Sequence, residues 1–171
     1  MSTAGQTLYA RTGSPVGELL LVGREEALCG LYMLDGPRPM CVSEQWRRAE
    51  EPFAPAVEQL GRYFAGERPS FDLALEMRGT AFQRQVWQAL RHIPHGATES
   101  YGSLAARLGP SVSPRAVGTA NGNNPISIVV PCHRVIGSDG TLVGYGGGLE
   151  RKRLLLELEG LADLQVGFTA P

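Results

Sequence analysis

No stretch of this 171-residue chain approaches the ~18 consecutive apolar residues that a membrane-spanning helix needs. The N-terminus does not open with a basic segment followed by an apolar one, so no signal peptide is expected. Cysteine is scarce: Cys29, Cys41 and Cys132 form an odd, widely spaced set. That excludes a disulfide framework and suits a reducing, cytoplasmic setting. No C-x-x-C occurs, and His92, His95 and His133 are scattered, so the spacing of a zinc site is missing. Charged residues are few, at 19% against 43% hydrophobic, a balance that builds a core rather than a disordered tail. The length suits one large domain or two small ones.

The net charge of −1 hides an asymmetry. Residues 1–77 carry 7 Arg against 11 acids, and residues 78–153 carry 9 Arg and Lys against 3 acids. Residues 154–171 carry 3 acids and no base. A basic middle on an acidic chain fits a face that meets a polyanion, although chance clustering on a solvated surface has the same signature.

The first half reads as a small sheet with a helix packed on it. Ser14-Pro15-Val16-Gly17 is a turn between Leu8-Tyr9 and the apolar run Leu19 to Val22, and Leu28 to Leu34 is a further strand. Gly36, Pro37, Pro39 and Pro52 mark a loop over residues 35–52. Val57, Leu60, Tyr63 and Phe64 fall at helical spacing, and Gly66 ends that helix. Nothing in this half reads as a chemical site.

A second half begins near Gly79-Thr80. Thr80 is a good N-cap, and Phe82, Val86, Trp87 and Leu90 share one helical face. A short helix is expected over residues 101–108, stopped by Gly109, and Ser113-Pro114 starts the next. Two short helices with a Gly-containing turn have the outline of a helix-turn-helix, and of any helical hairpin. The second helix carries Arg115 at its start and then Ala116, Val117, Gly118, Thr119, Ala120, Asn121 and Gly122. Such small residues read base edges poorly, so shape and phosphate recognition fit better than an operator. Gly137-Ser138-Asp139-Gly140 signals a hairpin between Val135-Ile136 and Leu142-Val143, like the wing of a winged helix. A last helix starts near Glu150. Its first turn carries Arg151, Lys152 and Arg153, which the helix dipole disfavours, and a nearby phosphate would offset this. The glycine run Gly144 to Gly148 lacks the ending of a nucleotide loop.

The apolar run Ile126 to Val130 reads as a buried strand, which places Cys132 at its end. A thiol there is either packing or a nucleophile. As a nucleophile it needs a base or a positive neighbour, since a free thiol has a pKa of ~8.5. His133 is adjacent, and strand neighbours face opposite sides, so proton transfer through a water fits better than direct contact. A histidine in that role needs a third group to orient it. Glu159 near the end of the last helix is the candidate; a surface glutamate at a helix end is the alternative.

Pro131-Cys132-His133-Arg134-Val135 resembles the signature of the O6-alkylguanine-DNA alkyltransferase family. Asn124-Pro125 before it and Gly144-Tyr145-Gly146-Gly147-Gly148-Leu149 after it belong to the same likeness. So do Gly79 to Trp87, Ser100-Tyr101-Gly102 and Arg115-Ala116-Val117-Gly118. The likeness is dense over residues 79–160 and loose in the first half, chiefly at Ser14-Pro15-Val16-Gly17.

The resemblance implies an α+β architecture. A small antiparallel sheet with a helix, ribonuclease-H-like and of structural role, would occupy residues 1–77. A mostly helical, winged-helix-type alkyltransferase and DNA-binding domain would occupy residues 78–171. It implies repair of O6-alkylguanine, and of O4-alkylthymine, in duplex DNA by transfer of the alkyl group to Cys132, which inactivates the protein after one turnover. By the same likeness His133 activates Cys132 through water and Glu159 orients His133. Asn124 links the helix-turn-helix to the cysteine segment, and Tyr101 assists base extrusion and hydrogen-bonds the purine. Arg115 fills the gap left by the extruded nucleotide, and Gln83, Gly102 and Ser138 touch the DNA backbone. Val135, Tyr145 and Gly146 line the base pocket. No cofactor is implied. The zinc that some members bind in the first domain is not expected, because its Cys and His positions are absent here. The implied partner is double-stranded DNA, met from the minor groove with little sequence preference, by a monomer that can assemble cooperatively. Two other readings compete: a thiol hydrolase using Cys132, His133 and Glu159, and a winged-helix regulator with an inert cysteine.

Overall fold

The computed structural model describes residues 5–165. The outermost residues of both expected domains, 1–4 and 166–171, lie outside that range. The first half is a four-stranded sheet with a helix. Strands β1 (Leu8–Thr12), β2 (Leu19–Gly23) and β3 (Leu28–Met33) form an antiparallel meander. Leu8 and Ala10 alternate inward on β1, whereas every residue of β2 is buried, as befits a central strand. Within the expected loop 35–52 the chain makes a two-residue strand, β4 (Arg47–Arg48), parallel to β1. The order is therefore β3-β2-β1-β4 and the sheet is mixed, not purely antiparallel. Two residues leave no periodicity from which a strand could be read. A 3-10 turn at Glu51–Phe53 leads into α1 (Ala54–Phe64), which buries Ala56, Leu60 and Tyr63.

The second half is mostly helical. Helix α2 (Ala81–Leu90) starts from a complete capping box: Thr80 accepts from the Gln83 amide, and the Gln83 side chain accepts from the Thr80 amide. Strand β5 (Glu99–Ser100) runs straight into α3 (Tyr101–Leu108), capped by Ser100 and ended by Gly109. Helix α4 (Pro114–Gly122) is capped by Ser113. Helices α3 and α4 pack on each other and on α2, and the Trp87 indole donates to the Ala120 carbonyl at 2.8 Å. This is the helix-turn-helix outline read from the sequence. The expected wing differs: β6 (Val135–Ile136) pairs in parallel with β5 rather than folding back on Leu142-Val143. Gly137 still makes the turn, its amide donating to Thr141, but the Leu142 amide donates to Gln165 and the hairpin does not continue. Helix α5 (Leu149–Leu158) closes the described chain.

The two halves share one hydrophobic core. It runs from Leu8, Leu19 and Leu31 through Trp87 and Leu104 to Val117, Val130 and Leu155. The outer edge of β3 is where they meet. The Leu31 amide donates to Pro125 and its carbonyl accepts from Ser127, making a bridge to the segment just before Cys132. No helix among the described residues is long and apolar enough to cross a membrane.

Thr80→Ala removes half of the capping box and is expected to lower stability by about 1 kcal/mol in urea denaturation. A change within error would mean that α2 is held by packing alone.

Candidate active site

Ile126 to Val130 is not a strand. Only Ile126 bridges to β3, and the residues after it turn back on themselves. The Val129 amide donates to Ser127 at 2.8 Å, the Val130 amide to Ile126 at 3.0 Å and the Cys132 amide to Val130 at 2.8 Å. Ile128 adopts φ 72°, a left-handed conformation that a β-branched residue rarely takes. Asn124 holds the coil: its Oδ1 accepts from the Ile126 amide and its Nδ2 donates to the Val130 carbonyl at 2.8 Å. A continuous apolar run looks the same in a buried coil as in a buried strand.

Cys132 consequently opens a 3-10 turn, Cys132–Arg134, whose three side chains are all buried. Helix α4 reaches this turn directly, since Asn121 Nδ2 donates to the Cys132 carbonyl at 3.3 Å. Cys132 is 4% exposed and lines a cavity of about 300 Å³. Tyr145, Gly146 and Gly147 form one wall of that cavity, and Tyr32, Met33 and Met40 another. The first half thus contributes a wall of the site, contrary to the expectation that it holds nothing chemical. A second cavity of about 420 Å³ shares Asn121, Tyr145 and Gly146 with the first and extends to Tyr101 and Gly118. Together they run from the face of α4 to the thiol. Val135 lines neither; it is fully buried and its carbonyl accepts from Lys152.

Behind the cysteine sits a buried ionic cluster. Glu159 caps α5 and is 3% exposed. His133 Nε2 lies 2.7 Å from Glu159 Oε1. Arg134 grips the same carboxylate in a fork, Nη2 to Oε1 and Nε to Oε2, each 2.9 Å. The Tyr63 hydroxyl donates to Oε1 at 2.8 Å and the Gly96 amide to Oε2 at 3.2 Å. Burial alone would raise the carboxyl, but the bonds from His133 and Arg134 hold it well below the usual carboxylate range. It is ionised at neutral pH. Burial pushes His133 the other way, towards the neutral imidazole, against the pull of Glu159. An ionised carboxylate only accepts, so His133 carries its proton on Nε2. Its Nδ1 is buried without a partner among the described residues and is the basic nitrogen. Tyr63, Arg134 and Asn121 were missed in the sequence. A histidine followed by arginine in a buried motif was the available signal for Arg134; Tyr63 lies 96 residues from Glu159 and carried none.

Cys132 rests as a thiol. Burial raises its pKa, while Asn124 and the charge of Lys152 oppose that rise. Lys152 is itself fully buried. Its ammonium donates to the carbonyls of Val135, Val143 and Gly144 at 2.5, 3.1 and 3.1 Å. Burial brings it down to about 8. The cations of the first turn of α5 are therefore met by protein oxygen rather than by phosphate: Lys152 by these three carbonyls, Arg151 by three others, and Arg153 by Glu150. Tyr101 donates to the Val143 carbonyl at 2.9 Å, and burial lifts its hydroxyl to about 12. Arg115 is exposed on the first turn of α4, Ser138 is exposed, and Gly102 has open space around it.

A buried thiol with a histidine–carboxylate pair behind it, held to the end of a helix-turn-helix, defines a cysteine-nucleophile protein built around a nucleic-acid-binding module. Comparison with known proteins sharpens the class. A family model for the DNA-binding domain of 6-O-methylguanine DNA methyltransferase matches residues 81–161, and one for its ribonuclease-like domain matches residues 7–77. The methylated-DNA–protein-cysteine methyltransferase of Mycolicibacterium paratuberculosis is 54% identical over 151 residues, spanning 88% of this chain and 91% of that one. A protein of the same name from Methanosarcina acetivorans is 49% identical, spanning 89% and 97%. The crystal structure of Mycobacterium tuberculosis OGT in complex with DNA matches with a TM-score of 0.82 at 51% identity, over 89% of this chain and 92% of that one. The chain belongs to the O6-alkylguanine-DNA alkyltransferase (6-O-methylguanine DNA methyltransferase) family.

Glu159→Gln leaves Arg134 buried without its counter-charge and is expected to cost about 3–5 kcal/mol in urea denaturation at pH 7. Because the folded carboxyl titrates below the ordinary value of 4.5, this contribution is complete above that pH and fades as the pH falls. The gap between wild type and variant should narrow in acid; a constant gap would contradict an ionised Glu159.

Proposed function

We propose that this protein repairs DNA by transferring the alkyl group of O6-alkylguanine in duplex DNA onto its own Cys132, once per molecule. The observation that carries the reading is Cys132 on the wall of a base-sized cavity with the His133–Glu159 pair buried directly behind it. The resting thiol must lose its proton as it attacks. A water between them passes that proton to Nδ1 of His133, and Glu159 steadies the resulting imidazolium. The Cys132 sulfur then bonds to the alkyl carbon as the carbon–O6 bond breaks. The electron pair leaves with the guanine, and the proton taken from the thiol returns from the imidazolium through water to neutralise it. The product is a thioether, which is not readily reversed, so each molecule acts once. This chemistry is carried by side chains alone and calls on no cofactor.

The rest of the reading concerns delivery. A guanine O6 in a duplex is reached by extruding the nucleotide, at a cost of a few kcal/mol. The paired cavities give that base a route from α4 to the thiol. Arg115 fills the gap in the stack, and Tyr101 aids extrusion and meets the purine beside Gly118. Tyr145 and Gly146 bound the base, and Asn124 holds the cysteine coil. Gln83, Gly102 and Ser138 meet the DNA backbone. Approach is from the minor groove, with little sequence preference. The protein works in the cytoplasm as a monomer able to assemble cooperatively on DNA, and takes O4-alkylthymine as a second lesion.

Incubation with duplex DNA bearing a labelled O6-methylguanine should place at most one label on each chain, and Cys132→Ser should abolish it. Repeated turnover, or label on another residue, would overturn the reading. Arg115→Ala should slow repair of duplex DNA by about ten-fold or more, while leaving the reaction with free O6-methylguanine base within about two-fold. Equal losses on both substrates would remove the stack-filling role.

A further inference from the structure

Arg151 stands in the first turn of α5, where the helix dipole disfavours a cation. Its guanidinium is spread over three separate segments. Nε donates to the Val16 carbonyl in the β1–β2 turn at 2.8 Å, and Nη2 to the Asp35 carbonyl after β3 at 3.0 Å. Nη1 donates to the Gly147 carbonyl in the glycine run at 3.1 Å. The first two belong to the N-terminal half and the third to the loop that walls the cavity in front of Cys132.

The seam under this guanidinium is closely packed. A Cβ on Gly147 would lie 2.5 Å from Met33 Sδ and 3.0 Å from the Tyr145 ring. One on Gly36 would lie 3.3 Å from the Met33 carbonyl and 3.5 Å from Gly147 Cα. One on Gly17 would lie 2.8 Å from the Asp35 carboxylate, whose Oδ2 also accepts from the Glu18 amide at 3.2 Å. Met33 and Gly147 both line the cavity that holds Cys132, from opposite halves of the chain. Met33 and Gly147 thus meet at one edge of that cavity, and Arg151 is the polar clasp across their junction.

We propose that Arg151 is a positioning residue for base capture. By tying the Val16 and Asp35 carbonyls to that of Gly147, it keeps the glycine loop pressed on Met33 and sets how tightly the extruded base is held. This rests on the reading that the cavity receives the alkylated base. A flexible loop would have to be ordered by each incoming base; a clasped loop is ordered beforehand. The guanidinium fork suits this use, because its donors diverge in one plane, whereas a lysine ammonium is a single point.

The test is single-turnover alkyl transfer from duplex O6-methylguanine over a concentration series, for wild type, Arg151→Ala and Arg151→Lys. Affinity for undamaged duplex and Cys132 alkylation by iodoacetamide are measured alongside. Arg151→Ala should raise the half-saturating concentration about ten-fold, the order of one lost charge-assisted hydrogen bond. The saturating rate, the undamaged-duplex affinity and the iodoacetamide rate should stay within about two-fold of wild type. Arg151→Lys should recover less than half of the loss. An unchanged half-saturating concentration, or full recovery with lysine, overturns the clasp. An equal loss of affinity for undamaged duplex would make Arg151 a phosphate contact, and a fall in the saturating rate would make it act on the thiol; either overturns the proposal. If Arg151→Ala does not fold, Met33→Ala removes the other side of the same seam and must raise the half-saturating concentration in the same way; an unchanged value overturns the proposal. Failure of the wild type to label Cys132 would instead overturn the alkyl-transfer reading itself.

Discussion

The buried carboxylate of Glu159 is the constraint around which the molecule is arranged. A charge out of water is tolerable only when every lone pair is met by good donors. Those donors are four residues from three places: Tyr63 on α1, Gly96 in the turn before β5, and His133 and Arg134 in the cysteine turn. Satisfying one carboxylate thus pins the N-terminal helix, the entry to the helix-turn-helix and the nucleophile to the end of α5. Arg134 extends the clamp, because its Nη1 donates to the Ile93 carbonyl at 2.6 Å. The same geometry leaves His133 with its proton on Nε2 and its basic nitrogen free. Stability and the tautomer of His133 are here two consequences of one set of hydrogen bonds.

Helix α5 extends the same logic to the opposite side of the site. Lys152 is the chain's single lysine, and it lies fully buried one turn from the glycine run, its ammonium shared by three carbonyls. The Val143 carbonyl accepts from both Lys152 and Tyr101, so the strand-like segment after Ser138 is held from α5 and α3 at once. With Glu159 at its C-terminal end, the helix bears on the thiol electrostatically from Lys152 and through His133 from Glu159. A thiol kept neutral by burial, with a cation and an imidazole both fixed nearby, is the arrangement that the proposed transfer needs. The N-terminal half is not an inert platform beside this. Its sheet edge bridges to Ile126, and its Met33 and Met40 line the same cavity as the cysteine.

What could be read from the residues divides along the range of the interactions. Thr80, Ser100, Ser113 and Gly109 mark helix ends by bonds to neighbours three or four residues away, and α2, α3 and α4 lie where those residues place them. Strands β1 to β3 were legible from their apolar runs and the Ser14–Gly17 turn. The run before Cys132 was misread as a strand, because its shape is decided by Asn124 capping a coil and not by its own hydrophobicity. The pairing within the wing differs for a related reason: the turn at Gly137 forms, but Val135-Ile136 pairs with β5. The three cations at the start of α5 looked like a phosphate site because their acceptors, Val16, Asp35 and Val135 among them, are far away in sequence.

The sequence by itself determined the helix boundaries, the chemical inventory of the motif and, through the order of its satellites, the family. Those follow from dihedral preferences and from residue types, which are local. The tertiary structure alone decided that Glu159 turns inward, that Tyr63 and Arg134 complete its coordination, and that the first half walls the cavity. A buried charge selects its partners by which donors the packed core brings within reach, and no spacing along the chain encodes a contact across 96 residues.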